Sequence, residues 1–393
     1  MEHLEDSVFN GGVKGARDAI NFLQSLRDML SSTTSSAINT TVKWDGAPAI
    51  FAGIDPSDQK FFVSKKGIFN KSPKIYKTSA EIDADISGDL ATKFKLALKH
   101  LPSLGIEGVI QGDFLYSSDT IKTEKIDGEK VITFHPNTIV YSVPRNSDLG
   151  RTISGSSIGI VWHTSYSGDS FENMKATFGK SISSKLSKSK AVWHTDATYK
   201  DVSGSATMTQ AETDAVTKIL SDAGKKFRTI KATTLNAIAE DEELKKRIKA
   251  HFNTKVREGE AIKNTRAHVR DLADYMIKYY DAQIEAKKTE KGKAPWREKK
   301  KSIMRFFGGS NMSNLVAIFD LVNLIIQAKE TIIKKMDKAS SIGTFLRTSN
   351  GLEVTAPEGY VAINHEGDAV KLVNRLEFSR ANFSDDVIKG WQK

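Results

Sequence analysis

Thr41-Val42-Lys43-Trp44-Asp45-Gly46 is the stretch from which the fold is read. It has the form Lys-x-Asp-Gly. The β-branched run Thr40-Thr41-Val42 leads into it, and Ala47-Pro48-Ala49-Ile50-Phe51 leads out. This pattern predicts a strand, a tight bend and a second strand, with one lysine left at a pocket wall. A lysine amine is a nucleophile only when neutral, which requires burial or a nearby cation to bring it down from an ordinary pKa of about 10.4. Taken alone, the tetrapeptide is equally a surface turn after a strand.

Outward from this point the texture is that of antiparallel strands. From about residue 37 to 165, short β-branched and aromatic runs alternate with Gly, Pro, Asn and Asp turns. One helix is expected inside this region, from about Ile86 to His100, and an amphipathic helix before it, over residues 13–31. Residues 167–205 are rich in Ser, Lys and Gly and are read as a connector. Val161-Trp162-His163-Thr164 recurs as Val192-Trp193-His194-Thr195, which predicts two similar strands. Residues 206–346 have helical periodicity. Segments are expected from Thr209 to Gly224, Ala237 to Phe252, Asn264 to Lys288 and Asn311 to Lys338, the last apolar enough for a bundle core. After about 350 strands return, at Leu352-Glu353-Val354, over 358–364 and over 369–373. A β-rich domain is therefore expected to be split by a helical insertion.

Composition narrows the class. A chain of 393 residues suits two domains or three. No apolar run reaches the length of a membrane span, and the acidic start Met1-Glu2-His3-Leu4-Glu5-Asp6 has no apolar secretory core. The absence of cysteine excludes disulfides and thiolate zinc sites and agrees with a reducing cytoplasm. The net charge of +10 points to a polyanionic partner such as nucleic acid. Between 205 and 350 there are roughly 29 Lys plus Arg against roughly 18 Asp plus Glu, the densest clusters being Lys245-Lys246-Arg247 and Lys299-Lys300-Lys301. The eight histidines are dispersed, and no Gly-x-x-x-x-Gly-Lys-Ser/Thr phosphate loop occurs.

Four signals follow Lys43-Trp44-Asp45-Gly46 in order. They are Ser64-Lys65-Lys66-Gly67 closing a strand, Gly112-Asp113-Phe114, Glu358-Gly359-Tyr360-Val361 and Val370-Lys371-Leu372-Val373, the last two spaced for a hairpin. This ordered set resembles the covalent nucleotidyltransferase superfamily: ATP-dependent DNA ligases, RNA ligases and mRNA capping enzymes. The motifs are similar to that family's nucleophile motif, Ser-Arg-x-Gly, Gly-Glu-Leu, Glu-Gly-x-x and Lys-x-Lys. The resemblance covers residues 37–166 and 351–380.

It implies an α+β fold, an ATP-grasp-like ligase adenylation domain of antiparallel sheets interrupted by an all-α basic insertion. Residues 1–166 and 347–393 would be its two parts, 167–205 the connector and 206–346 the insertion. It implies Lys43 as the nucleophile on the α-phosphate of ATP, giving a lysyl-AMP phosphoramidate, with Lys371 brought near to neutralise charge. Mg2+ or Mn2+ would be held by Glu358, with Asp113 sharing the metal or holding the ribose. Lys65 would contact sugar or phosphate. Thr41 would read the adenine amine through its hydroxyl or backbone. Trp162 or Tyr141 would stack on adenine.

The departures from the family pattern are informative. Thr41 stands in place of a usual Glu, Asp113 is one methylene shorter than Glu, and Lys65 lacks the fork of Arg. Val373 stands at the second lysine of Lys-x-Lys, with Arg375 as a substitute. Roughly twenty residues follow Lys371, too few for a C-terminal OB-fold, which favours a likeness to phage-type RNA ligases. The function expected is an ATP-dependent ligase joining a 3′-hydroxyl to a 5′-phosphate on RNA, DNA or mixed ends. The alternatives are a DNA ligase sealing nicks and an inactive nucleotidyltransferase fold that binds nucleic acid.

Overall fold

The structure, a computed structural model, describes residues 2–31, 39–178, 180–198, 207–339, 342–349, 351–363 and 369–392. It is mixed α and β, and its sheets are mainly antiparallel. Backbone contacts divide the chain into two units: a helical one of Met1–Ile38, Ser203–Lys338 and Ala369–Phe383, and a β-rich one of Asn39–Val202, Ala339–Asp368 and Ser384–Lys393. Among the described residues no helix is long and apolar enough to cross a membrane.

In the β-rich unit the largest sheet runs through Lys175–Phe178, Ile158–Ser167, Val109–Ser117, Ala49–Ile54, Phe61–Ser64 and Ile75–Tyr76. Val192–Asp196 lies parallel to Ile158–Ser167, with Ile158 opposite Val192 and Val161 opposite Thr195. The two Val-Trp-His-Thr strands are thus neighbours. The stretch 167–205, expected as a connector, contributes two sheet strands; residues 179 and 199–205 of it lie outside the described residues. Because side chains alternate across a strand, each sheet face has its own population. Ile50, Ala52, Ile110, Phe114, Ile160 and Trp162 form a core with Phe94, Ala97 and Leu101 from the helix Gly88–His100 and the turn after it. Phe51, Phe62 and Val109 face the other way.

A second, wholly antiparallel sheet runs Gly351–Val354, Gly343–Thr348, Ile139–Pro144, Glu129–Phe134 and Lys122–Ile126. Asn39–Val42 pairs antiparallel with Tyr360–Ile363, Val42 opposite Tyr360, so the chain's two β-rich segments meet as expected. The expected hairpin loop after that strand, residues 364–368, lies outside the described residues.

The helical unit is built round Gly309–Met336, whose buried Leu315, Phe319, Val322, Ile325 and Ile332 are its core stripe. Gln210–Thr229 starts at a capping box between Thr209 and Glu212, and Thr265–Glu285 starts at the side chain of Asn264. The expected helix over 237–252 is two, Ala232–Glu240 and Glu242–Glu258, divided where the Asp241 side chain caps the second. Gly12–Leu30, expected with the strands, packs here, against Gln210–Thr229, Ala232–Glu240 and Gly309–Met336. The helix Glu290–Met304 was not legible from periodicity, because it buries only Ile303 and carries Gly292 and Pro295.

Under this bundle lies an ionic cluster. Lys329 and Glu5, each 1% exposed, pair at 2.8 Å, and Arg375 binds Asp6 at 2.8 Å and Asn253 at 3.2 Å. Removing one member of a buried pair leaves an uncompensated charge. Lys329→Met is therefore expected to destabilise the protein by about 3–5 kcal/mol, measured as the shift in urea unfolding. A loss below about 1 kcal/mol would mean that Glu5 regains water and that the pair does not anchor the bundle.

Candidate functional site

The register that joins Asn39–Val42 to Tyr360–Ile363 continues one residue further, where the Lys43 N–H donates to the Gly359 carbonyl at 2.8 Å. Gly359 has φ of +133°, a backbone conformation suited to glycine. This places Glu358 beside Lys43, and the two side chains form an ion pair. Lys43 is 27% and Glu358 12% exposed, so the pair is half-buried.

Asp45 explains the acid of the Lys-x-Asp-Gly motif. Its carboxylate, 4% exposed, accepts from Asn137 Nδ2 at 2.6 Å and from the N–H groups of Thr138 and Ile139 at 2.6 and 2.7 Å. Its own N–H donates to the Tyr141 hydroxyl at 2.7 Å. Burial raises the Asp45 carboxyl above its ordinary range against these hydrogen bonds. Gly46 follows because a Cβ there would come within 2.5 Å of the Asp113 Cβ and 3.2 Å of the Phe114 carbonyl. The bend after Lys43 is thus pressed against the strand that carries Asp113.

Asp113 lies on the sheet face opposite the helix-covered core, opposite Ala49 and Val161. Desolvation pushes its carboxyl up to about 7, with Lys43 opposing and Glu358 and Asp45 reinforcing the shift. Next to it the sheet is irregular. Trp162 pairs with Gly112 and Thr164 with Gln111, so His163 is an extra residue. Such a bulge turns a side chain out of the regular alternation. His163 Nε2 lies 3.9 Å from Asp113, and its Nδ1 is 2.7 Å from the Thr164 hydroxyl. Burial first, then Lys43, pulls His163 down to about 4. The same face continues through Gln111, which accepts from the Tyr166 hydroxyl at 2.7 Å, to an aromatic group. Tyr166 and Phe69 have ring centroids 4.9 Å apart, and Phe51 lies 5.6 Å from Phe69.

Of the residues singled out by sequence, Lys43, Glu358 and Asp113 come together. Thr41 flanks them, 6% exposed, with its hydroxyl donating to the Val361 carbonyl at 3.4 Å. Trp162 does not serve as a stacking surface. It is fully buried in the core beneath the helix, because strand alternation turns it away from Asp113. Tyr141 is 3% exposed and holds Asp45 through its hydroxyl. Lys65 is drawn to Asp85 at 2.8 Å, which also gathers Lys74 and Tyr76, and pairing with Asp85 raises its pKa. The cation that acts on Asp113 from this motif is the neighbouring Lys66. Lys371 belongs to the helical unit, opposite His3 in register. Arg375, the expected substitute for the second lysine, is 6% exposed and committed to the ionic cluster there.

Sequence reading missed His163 and the aromatic trio. The spacing of Tyr166 and Phe51 carried no mark of their shared face. His163 was legible as a neighbour of Trp162, but the bulge that aims it was not. Among the described residues, no group of three or more His, Asp or Glu side chains converges as a metal site. A family model described as a family of unknown function (DUF6267) matches residues 1–386. No curated protein and no solved structure matches the chain.

Asp113 gives a pH signature. Its folded-state pKa is raised from 3.8 to about 7, so the folded chain holds a proton that the unfolded chain has released between those values. Its contribution to stability therefore falls as pH rises through that window and stays low above it. Asp113→Asn removes this dependence. Relative to wild type, the variant is expected to gain stability as pH rises from about 4 to about 7 in urea unfolding. A difference that is flat with pH would show that Asp113 is ordinarily solvated.

Proposed function

The chain belongs to DUF6267, a family of unknown function, and from the side chains gathered at Lys43 we propose that it is an ATP-dependent polynucleotide ligase, RNA ligase-like in kind. The observation that carries this reading is the ion pair of Lys43 with Glu358, brought together across 315 positions of sequence. Both come from the ordered motif set that resembles the covalent nucleotidyltransferases.

The chemistry follows from what each residue offers. Glu358 holds Lys43 as an ammonium at rest; as ATP binds, the pair opens, the proton passes to water and the amine lone pair is freed. Lys43 Nζ attacks the α-phosphorus of ATP, a P–N bond forms, the bond to the bridging oxygen breaks and pyrophosphate leaves. The adenylyl group then passes to a 5′-phosphate, restoring the lysine. A 3′-hydroxyl attacks that phosphate and displaces AMP. Mg2+ or Mn2+, when bound, neutralises the phosphate charge. Asp113 and Glu358 fit as its holders, since they are hard oxygen donors that act on each other's charge, and Mg2+ takes one or two carboxylates with phosphate oxygens completing its shell. Neutral near pH 7, His163 offers an uncharged hydrogen-bonding group beside Asp113. Phe69, exposed and packed on Tyr166, takes over from Trp162 and Tyr141 as the surface for the base.

One observation favours a second reading, a nucleic-acid-binding protein without catalysis. Val373 is buried at the position of the second lysine of Lys-x-Lys, and Arg375 is occupied elsewhere. Incubation with Mg2+ and α-labelled ATP separates the two. Ligase chemistry is expected to leave label bonded to the protein, to lose it in Lys43→Ala, and to form it more slowly in Glu358→Gln, which removes a carboxylate for the cation. An unlabelled wild type, or a labelled Lys43→Ala, refutes the ligase. Label from GTP in place of ATP assigns a capping guanylyltransferase instead.

A further inference from the structure

The two basic clusters of the sequence have different fates in the helical unit. At 245–247, Lys245 pairs with Glu242 at 2.6 Å, and Arg247 pairs with Glu243 at 2.9 Å while stacking 4.1 Å over the Tyr279 ring. Two of this cluster's three charges are thus taken up within the fold. From 286 to 305, nine Lys and Arg face only Glu290 and Glu298. Glu290 takes Arg297 at 2.6 Å and Lys293 at 3.6 Å, and Asp281 takes Lys300 at 2.6 Å. Lys287, Lys288, Lys291, Lys299, Lys301 and Arg305 have no ion-pair partner among the described residues.

The helix that carries most of them is laid out for display. Glu290–Met304 buries only Ile303, where Gly309–Met336 buries a continuous stripe. Lys291, Lys299 and Lys301 are all exposed. Half-buried among them is Trp296. Its ring lies 6.3 Å from Tyr280 on the neighbouring helix, while Lys299 and Lys287 sit 4.9 and 5.8 Å from its centroid. A dense set of unpaired cations flanking an aromatic ring suits a strand with regularly spaced phosphates and bases able to stack. A membrane surface offers the charge but nothing to stack.

We propose that the exposed face of Glu290–Met304, with Lys287, Lys291, Lys299, Lys301 and Trp296, is a binding surface for single-stranded nucleic acid. This rests on the ligase reading and deepens it by naming the surface of the helical unit that grips the polynucleotide. Phosphates pair with the lysines, and a base takes the place of a lysine over the Trp296 ring.

The test uses the full chain, without ATP, and a labelled mixed-sequence single-stranded oligonucleotide of about 20 nucleotides. Binding is followed by anisotropy across a salt series. Each phosphate neutralised adds about 0.7 to the slope of log affinity against log salt. The triple variant Lys291→Ala, Lys299→Ala, Lys301→Ala is expected to lower that slope by about 2 and to weaken binding at least about tenfold at low salt. Trp296→Ala is expected to weaken binding while leaving the slope nearly unchanged. A control triple of ion-paired lysines, Lys218→Ala, Lys225→Ala, Lys245→Ala, is expected to match wild type. Circular dichroism confirms folding of each variant, since the altered lysines of the helix are exposed.

The proposal is overturned if the helix triple variant binds as wild type does, if the control triple loses as much, or if wild type prefers anionic vesicles to the oligonucleotide. Lysyl-AMP formation is read separately on the same proteins. Lost labelling with intact strand binding sinks the ligase and spares this surface. Intact labelling with no strand binding does the reverse.

Discussion

The β-rich unit depends on the carboxylate of Asp45. This one group accepts three hydrogen bonds from Asn137, Thr138 and Ile139, at the start of a strand in the smaller antiparallel sheet. The residue itself sits in the bend that leads into the Ala49–Ile54 strand of the larger sheet. Asp45 therefore ties two sheets at one point, two residues beyond Lys43. Tyr141 closes the knot by accepting the Asp45 N–H, and the Trp44 and Tyr141 rings pack 5.0 Å apart. Lys93 braces the far side of the bend by donating to the Ala47 carbonyl at 3.3 Å. A lysine at the end of an unsupported strand would sweep a wide volume. Here its backbone is fixed by the Gly359 carbonyl on one side and by Asp45 on the other.

The larger sheet separates stability from chemistry by parity. One set of alternate residues makes the apolar core with the helix Gly88–His100, and the other set carries Gln111, Asp113 and Tyr166. Two glycines let the pieces approach. Gly46 fits against Asp113, and Gly112 leaves room for the Trp162 ring. The bulge at His163 breaks the parity rule once and adds a polar side chain to the face where Asp113 stands. The Trp162 assignment fails by that parity, whereas His163 depends on the bulge that departs from it. A strand residue and its successor point to opposite faces, and a sequence window cannot say which face is the open one.

Much of the architecture was legible because it follows from local rules. Thr209 with Glu212, and Asn264, mark helix starts by chemistry that needs no tertiary context. The long stripe of Gly309–Met336 is likewise periodic in itself. The pairing of the two β-rich segments was legible only through motif order, since nothing local links Lys43 to Glu358. What escaped depended on distant partners. The strands within 167–205 are short, and their residues are recruited by the exposed edge of Ile158–Ser167 more than by their own propensity. Arg375 read as a phosphate contact because its spacing suited one. Its burial with Asp6 and Glu5 arises from segments hundreds of residues away.

The two aspartates beside Lys43 show how a compensated buried acid differs from an uncompensated one. Both are desolvated, and burial is the first cause of the upward shift in each. Asp45 is compensated locally by three N–H donors, so its charge has partners in the folded chain. The Asp113 carboxylate has no hydrogen bond among the described residues; what reaches it is His163 at 3.9 Å and the fields of Lys43 and Lys66. Glu358, which takes the Lys43 ammonium, adds a second negative charge to the same small volume. An isolated fold gains nothing from this arrangement, since an asparagine at 113 would remove the cost. A ligand that brings positive charge, or that accepts a proton from this acid, converts the cost into binding free energy, which is the role the proposed reading gives to a triphosphate with its divalent cation. The uncompensated acid, more than the lysine, is therefore what the proposed function has to account for.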